Sequence, residues 1–524
     1  MDTYGSTPRS LHPALVLITL SVGFLMPNLD TTIVNVALAK LQVAMGASTD
    51  TVQWVITAYL LALVIALPAS GWCADNFGYK VTFLSSQVLF TAGSLLCSLS
   101  SDMTTLILSR VLQGLGAGLM LPLGSAFLVR VFPREKLGMA IGLFSIPAVA
   151  STSFGPSLGG WLIDQFSWQS MFTINLPIGA LGLVMGVLLL PEFKKDQRTP
   201  FDLPSFLSLG VALTLLVFAL SNAGAAWNTD GWTSTTMLTC FGISAVGFGL
   251  FAIFQSTTAH PLLELSLFRG RDFSISVFLF FIFGFGLFGS DFLLPLYLQN
   301  GLGYTPTQAG MVFIPFGVVM ILSNVVGGKL NDLWGPKIPG LLGIAVRAYG
   351  LYRFTFLTPQ SDATEIVLTV CLLAMGMGLL MTPLQTSALA ARPKDKAAQA
   401  SGLVSIARQL GGSFGVAILS AILVSRDAFH LGALGQGMNV HSPAYQETVA
   451  RLTTHGLDAG RAQGVIVSHV HTQAFVSGIT DVFFITMVIS ILSSIPFLFL
   501  HSPAREHQPP GPDPTKPSVI GEKS

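Results

Sequence analysis

The chain has 524 residues, of which 51% are hydrophobic and 10% charged, with a mean hydropathy of +0.68 and a formal net charge of +1. A soluble domain carries about 25% charged residues, so this chain cannot cover a water-facing surface, and most of its exterior must face lipid. The near-neutral balance gives no case for a nucleic-acid partner. The four cysteines Cys73, Cys97, Cys240 and Cys371 form no C-x-x-C pair and read as free thiols.

A spanning helix needs about 20 mostly apolar residues, and by that measure the sequence predicts an all-α integral membrane protein of about 14 transmembrane helices. The first apolar run, Pro13 to Pro27, continues through Asp30, so it is too long for a cleavable signal core and reads as the first span. Six spans are expected at 13–39, 52–73, 81–99, 105–129, 137–162 and 168–190. A charged linker and two extra spans, near 204–221 and 234–255, follow. The last six lie near 273–299, 307–328, 338–357, 363–390, 398–424 and 474–500. The expected domains are an N-terminal six-helix bundle (1–190), the linker with the extra helices (191–272), a pseudo-symmetric C-terminal six-helix bundle (273–500) with a long polar outside loop (425–473), and a disordered tail (501–524).

One pattern, G-x-x-x-D-x-x-G-x-K, occurs twice. It is Gly71, Asp75, Gly78 and Lys80 in the first half, and Gly328, Asp332, Gly335 and Lys337 in the second, 257 residues on (328 minus 71). Both copies fall after the second span of their half, as expected for the internal repeat of a secondary transporter. The aspartates can bond the positive N-terminal ends of nearby helices, and the lysines can pair with carboxylates. The pattern then reads either as a latch on moving helices or as a tight turn.

Orientation follows from Lys and Arg. With the N-terminus inside, about 18 fall in inside loops, among them Arg9, Lys194, Lys195, Arg392, Lys394 and Lys523. About 4 fall outside: Lys40, Arg426, Arg451 and Arg461. Both termini should therefore be cytoplasmic. The outside loop holds His430, His441, His455, His469 and His471, whose spacing matches no standard ligand pattern, so no metal site is expected.

Ionisable residues inside apolar spans are costly and point to function. They are Asp30, Arg110, Asp291, Arg347, Arg353, Arg408 and Asp481. Asp30 and Asp291 lie in equivalent helices, 45 and 41 residues before their half's repeat aspartate (75 minus 30; 332 minus 291), so about one turn apart in depth. Burial disfavours the charged form of a carboxyl group, which suits a group that takes up and releases protons. The other reading for each is a structural ion pair or helix cap. Arg110 needs a carboxylate, carbonyl or water partner, and Asp30 is one candidate. Arg347 and Arg353 read as structural, Arg353 by reaching to the interface. Asp481 is expected to be solvated near a helix end. Gly155 and Gly159, four apart with Pro156 between them and Gly160 after, make a small-residue packing face on the fifth span.

No G-x-x-x-x-G-K-[ST], H-E-x-x-H or G-x-S-x-G motif is present, so ATP hydrolysis by this chain and the usual hydrolases are not indicated, nor is a cofactor. Uphill work would draw on an ion gradient.

Together these residues resemble the major facilitator superfamily, and within it the fourteen-helix drug:proton antiporters of the EmrB/QacA type. Residues 71–80 resemble the family's loop motif, 106–117 its helix-4 motif with the membrane arginine, 155–160 the exporter motif of helix 5, and the stretch around Asp30 the helix-1 acidic motif. Trp168 to Gly179, with Phe172, Asn175 and Pro177, resembles the start of helix 6. Cys73 and Tyr79 depart from the usual Leu and Arg, Ser151 stands where Gly is frequent, Ala39 stands where Pro is usual, and Asp291 matches no general motif. The Tyr79 change removes a positive charge from the expected latch. The resemblance implies a proton-coupled exporter of drug-like amphipaths in the plasma or inner membrane. Its partners would be protons, a small-molecule substrate and membrane lipid, and the family type admits a periplasmic adaptor protein. The same fold would serve an exporter of an endogenous lipid, fatty acid or metabolite. A receptor or scaffold would gain nothing from the cost of buried Asp30 and Asp291.

Overall fold

The computed structural model describes residues 12–194, 198–225, 227–358, 360–390, 396–437, 443–454 and 457–500. The expected tail 501–524 and the residues Arg9, Lys195, Arg392, Lys394, His441 and His455 lie outside them. The described residues form helices and no strand. The N-terminal half comprises α1 (Pro13–Met45), α2 (Thr49–Ala66), α3 (Ala69–Phe77), α4 (Tyr79–Leu99), α5 (Met103–Val131), α6 (Arg134–Phe144), α7 (Ile146–Gln165), α8 (Ser170–Thr173) and α9 (Asn175–Leu189). Then come α10 (Leu203–Asn222) and α11 (Thr235–Thr257). The C-terminal half comprises α12 (Arg271–Leu296), α13 (Pro306–Trp334), α14 (Lys337–Phe354), α15 (Ala363–Ala390), α16 (Ala397–Gly437), α17 (Pro443–Thr454), α18 (Ala459–Leu492) and α19 (Ser494–Leu498).

Twelve helical segments are long and apolar enough to cross a membrane, or thirteen when α2 and α3 count as one span bent by 54°. The bend falls at Pro68, which has no N–H for the helix ladder. The sequence expectation of a span at 52–73 did not include this bend. Helix starts follow capping chemistry. Asp102 accepts from the Thr105 N–H at 2.9 Å, and Thr305 with Gln308 closes a capping box on α13.

The expected outside loop 425–473 is mostly helical. α16 runs unbroken for 41 residues, α17 adds 12, and α18 begins at Ala459. At 1.5 Å per residue α16 is about 60 Å long, twice the hydrocarbon thickness of about 30 Å.

The end of the bundle that carries the two repeats, the repeat end, is joined differently from the opposite end. There one apolar core runs through both halves, from Phe83, Phe127 and Ile141 to Leu389 and Leu403. At the opposite end the N-terminal half has its own core around Leu29, Val55 and Phe172. The C-terminal half has another around Leu293, Val370 and Phe483, which Val149 of α7 joins from the first half. Within a bilayer such contacts stabilise by close packing rather than by escape from water. α13 also lies along α6 and α7 on a stripe of small residues. Gly328 meets Gly138, Gly142 meets Asn324, and Gly310 meets Ser157.

Candidate functional site

Asp30 lies in the middle of α1 and is fully buried. Its Oδ2 accepts from Arg110 Nη1 at 2.5 Å, and its Oδ1 accepts from Gln113 Nε2 at 2.8 Å and Asn175 Nδ2 at 3.1 Å. Arg110 is 1% exposed, donates Nε–H to the Val55 carbonyl at 2.9 Å, and holds its guanidinium 4.2 Å above the Tyr59 ring. Ser94 Oγ accepts from both Gln113 Nε2 and Asn175 Nδ2, at 2.6 and 3.2 Å. Helix periodicity produces the cluster: Arg110 and Gln113 are one turn apart on one face of α5. The network joins α1, α2, α4, α5 and α9. With three N–H donors on its two oxygens, the group has the partners of an ionised carboxylate. Neither Asn175 nor Ser94 is charged. In the sequence only the family resemblance marks Asn175, and nothing marks Ser94.

The glycines of the fifth-span motif sit against the same helix. A Cβ on Gly155 would collide with Thr32 Oγ1, and one on Gly159 would lie 3.0 Å from Ile33 Cγ2. They set the approach of α7 to α1, immediately after Asp30. Pro156 is inside α7, and a Cβ on Gly160 would meet nothing within 4 Å.

Neither repeat is a loop. Gly71 and Asp75 lie on α3, and Gly328 and Asp332 on the last turns of α13. Four-residue spacing places each pair on one helix face. Gly78 (φ +99°) and Gly335 (φ +77°) end these helices in a backbone region that favours glycine, and the next helix starts at once. The result is a helix–glycine–helix corner. Each corner grips the other half. Asp332 accepts from the backbone N–H groups of Gly138 and Met139 on α6, both at 2.9 Å, and a Cβ on Gly328 would lie 2.5 Å from the Gly138 carbonyl oxygen. Asp75 accepts from Gln399 Nε2 at 3.3 Å, and a Cβ on Gly71 would lie 3.1 Å from the Gln399 Cα at the start of α16. Tyr79 replaces a charge only in part. Its hydroxyl accepts from the Ala398 N–H at 3.3 Å, and Arg130 stacks 4.2 Å over its ring. The expected lysine–carboxylate pairs do not form: Lys80 Nζ donates to the Val187 carbonyl at 2.7 Å, and Lys337 has no ion pair among the described residues.

The other membrane charges divide. Arg353 pairs with Glu365 at 2.6 Å. Asp481, expected to be solvated, instead binds Arg426 Nε and His430 Nε2, each at 2.7 Å, tying α18 to the extension of α16. Arg347 is 2% exposed, its guanidinium against Gly286 of α12. Asp291 is partly exposed on α12 and has no hydrogen bond or ion pair among the described residues. The partners that hold Asp30 therefore have no counterpart around Asp291. Arg408 lines a small cavity between the halves, of about 30 Å³, together with Ser125, Ser401, Gln385, Phe24 and Phe280. Ser125 and Ser401 close its repeat side by an Oγ–Oγ hydrogen bond of 2.5 Å across the halves.

Two halves of membrane-spanning helices, packed face to face through matched gripping corners, with a buried carboxylate inside the first half, define a polytopic membrane transporter. The Major Facilitator Superfamily profile matches residues 20–416. The chain is 31% identical to the tetracenomycin C resistance and export protein of Streptomyces glaucescens, over 97% of this chain and 96% of that one. It is 30% identical to the multidrug export protein EmrB of Haemophilus influenzae, over 92% and 96%. The solved structure of the proton:xylose symporter XylE superimposes with a TM-score of 0.60 at 14% identity, covering 94% of this chain and 96% of that one, which shows the shared fold. The chain belongs to the major facilitator superfamily, in its drug:proton antiporter branch. It is a transporter and not an enzyme.

Proposed function

We propose that this chain is a proton-coupled exporter of small amphipathic, drug-like molecules, working by alternating access between the halves 1–190 and 273–500. The observation that carries the reading is Asp30, a fully buried carboxylate held by Arg110, Gln113 and Asn175 inside a bundle built to rock. Such a charge is costly in a membrane and is retained where it moves protons or substrate. The export relatives agree with the direction and substrate class. Adding α14, whose 18 residues carry Lys337, Arg347 and Arg353, to the thirteen apolar spans gives fourteen crossings and both termini on one side. The Lys and Arg bias puts that side in the cytoplasm, so the repeat end is the cytoplasmic gate, here closed. Reconstituted into proteoliposomes and offered a panel of chemically different compounds, the protein will release protons only when a transported compound is present. Compound-driven flux that ignores the proton gradient would overturn the coupling.

The corners are the latch of that gate. Asp332→Asn keeps one acceptor for the two α6 N–H groups but loses the charge. Hydrogen bonds to charged groups contribute about 1.5–3 kcal/mol, so the closed state weakens by roughly tenfold and transport slows by a similar factor. Asp75→Asn will slow transport as well, through its bond to Gln399. Substrate binding, measured on the same purified protein, should stay within about twofold. Normal turnover in both variants would reduce the corners to chain reversals.

A further inference from the structure

The cavity between the halves contains a charge that the proton-coupling reading leaves unused. Arg408 faces it from α16 and makes no hydrogen bond or ion pair among the described residues. Its polar neighbours are hydrogen-bonding groups without charge: Gln385 of α15, Ser125 of α5, Ser145 between α6 and α7, and Ser401 and Ser405 of α16. The apolar wall includes Phe24 and Phe144, whose ring centroids are 4.5 Å apart. No carboxylate lines the cavity. Asp30 is already committed to Arg110 within the N-terminal half. The site therefore has a positive head, neutral donors and an aromatic floor.

We propose that Arg408 is the recognition group for organic anions, and that the substrates are amphipaths with a carboxylate head and an aromatic body. The inference rests on the exporter reading above and names its substrate class. The carboxylate meets the guanidinium in the planar, two-point fashion that arginine favours. Gln385 and the serine hydroxyls satisfy its remaining lone pairs. The rings of the substrate lie against the phenylalanines. At about 30 Å³ the cavity admits only a water-sized group in this conformation. Loading the substrate requires the Ser125–Ser401 bond between the halves to part. The head is thus recognised at the seam where the halves separate, and its arrival is linked to opening.

The test compares three probes of one shape, 2-naphthoate, 2-naphthamide and 2-naphthylmethylammonium, with dodecanoate as a carboxylate on an alkyl body. Binding to the purified full-length protein is measured by equilibrium titration, separately from transport in proteoliposomes. The wild-type protein should bind naphthoate at least about tenfold more tightly than the amide or the ammonium compound, the factor expected of one charge-assisted contact. Arg408→Gln should remove that preference and leave the amide within about twofold, while Arg408→Lys, a point charge without the planar fork, keeps only part of it. Dodecanoate bound more tightly than naphthoate would assign the body as a lipid chain and overturn the aromatic half of the proposal. Equal loss of all three naphthyl probes in Arg408→Gln, or tighter binding of the ammonium compound by the wild type, overturns the whole. If Arg408→Gln does not fold, Gln385→Leu and Ser405→Ala should each lower naphthoate binding selectively, and an unchanged preference in both overturns the proposal. Transport of a dye cation with no naphthoate binding sinks this inference and spares the exporter reading. Naphthoate binding without any gradient-driven flux does the reverse.

Discussion

Asp30→Asn will leave a protein that binds substrate and exchanges it downhill, yet fails to accumulate it against a gradient. The substitution keeps the shape of the side chain and fixes it as neutral. In the structure both oxygens of Asp30 accept from N–H donors, Arg110 on one side and Gln113 with Asn175 on the other. An amide can accept on one side only, so one set of donors meets an NH2 group. The network then loosens by about 1–3 kcal/mol, the cost of leaving a buried polar group unmatched, and no proton can be taken up or given back at this position. Uphill export should fall to the level of protein-free liposomes, while exchange at equal concentrations survives because rocking needs no ionisation once the charge is gone. Asp30 is fully buried, so proton entry requires the network around it to open. Uphill export at the wild-type rate with an intact response to the proton gradient would dismiss Asp30 as the carrier and pass the role to Asp291.

Arg110→Leu is expected to be the most destabilising single change in the N-terminal half. It removes the counter-charge of a carboxylate with no exposure, the Nε–H bond to the Val55 carbonyl, and the stacking on Tyr59. Breaking one partner of a buried ion pair costs about 3–5 kcal/mol, because the survivor keeps its desolvation penalty. Thermal unfolding of the purified protein in detergent will show the loss. The double variant Asp30→Asn with Arg110→Leu should regain part of it, since two neutral side chains are cheaper to bury than one charge. A midpoint for Arg110→Leu equal to the wild type, or a double variant no better than the single, would mean the pair contributes little to the bundle.

Apolar length and repetition are legible because a bilayer imposes them along the chain. The spans and both repeats can be read from sequence for that reason, and so can the list of membrane charges. Pairing is harder to read. Asp30 and Arg110 are each conspicuous, but Ser94 and Asn175 are ordinary polar residues until α4 and α9 bring them to the same carboxylate. Asp481 looks solvated because Arg426 and His430, its partners, are about fifty residues away in sequence. Polarity also misleads at 425–473. Outside the bilayer a helix no longer needs apolar residues, so α16 continues to Gly437 through a stretch whose composition resembles a loop. The repeats show the opposite error. Their glycines suggest a turn, whereas Gly71 and Gly328 serve as bare helix faces, and only Gly78 and Gly335 turn the chain.

The segment after α9 has a mechanical consequence. Thr199 is fastened to α3 from both sides: its carbonyl accepts from Trp72 Nε1, its hydroxyl accepts from Asn76 Nδ2, and its N–H donates to Asn76 Oδ1. Phe193 accepts from the Tyr79 N–H, and Phe201 packs edge-on against Trp72. The chain around Thr199 that leads into α10 is therefore riveted to the N-terminal half. The stretch between α11 and α12 is held as well: Leu262, Leu263 and Leu267 are buried, and Glu264 pairs with Lys396 beside α16 at 3.0 Å. The chain thus enters the extra pair fastened to the first half and leaves it fastened to the second, and α10 touches both α2 and α16, so the pair is a bracket across the two halves.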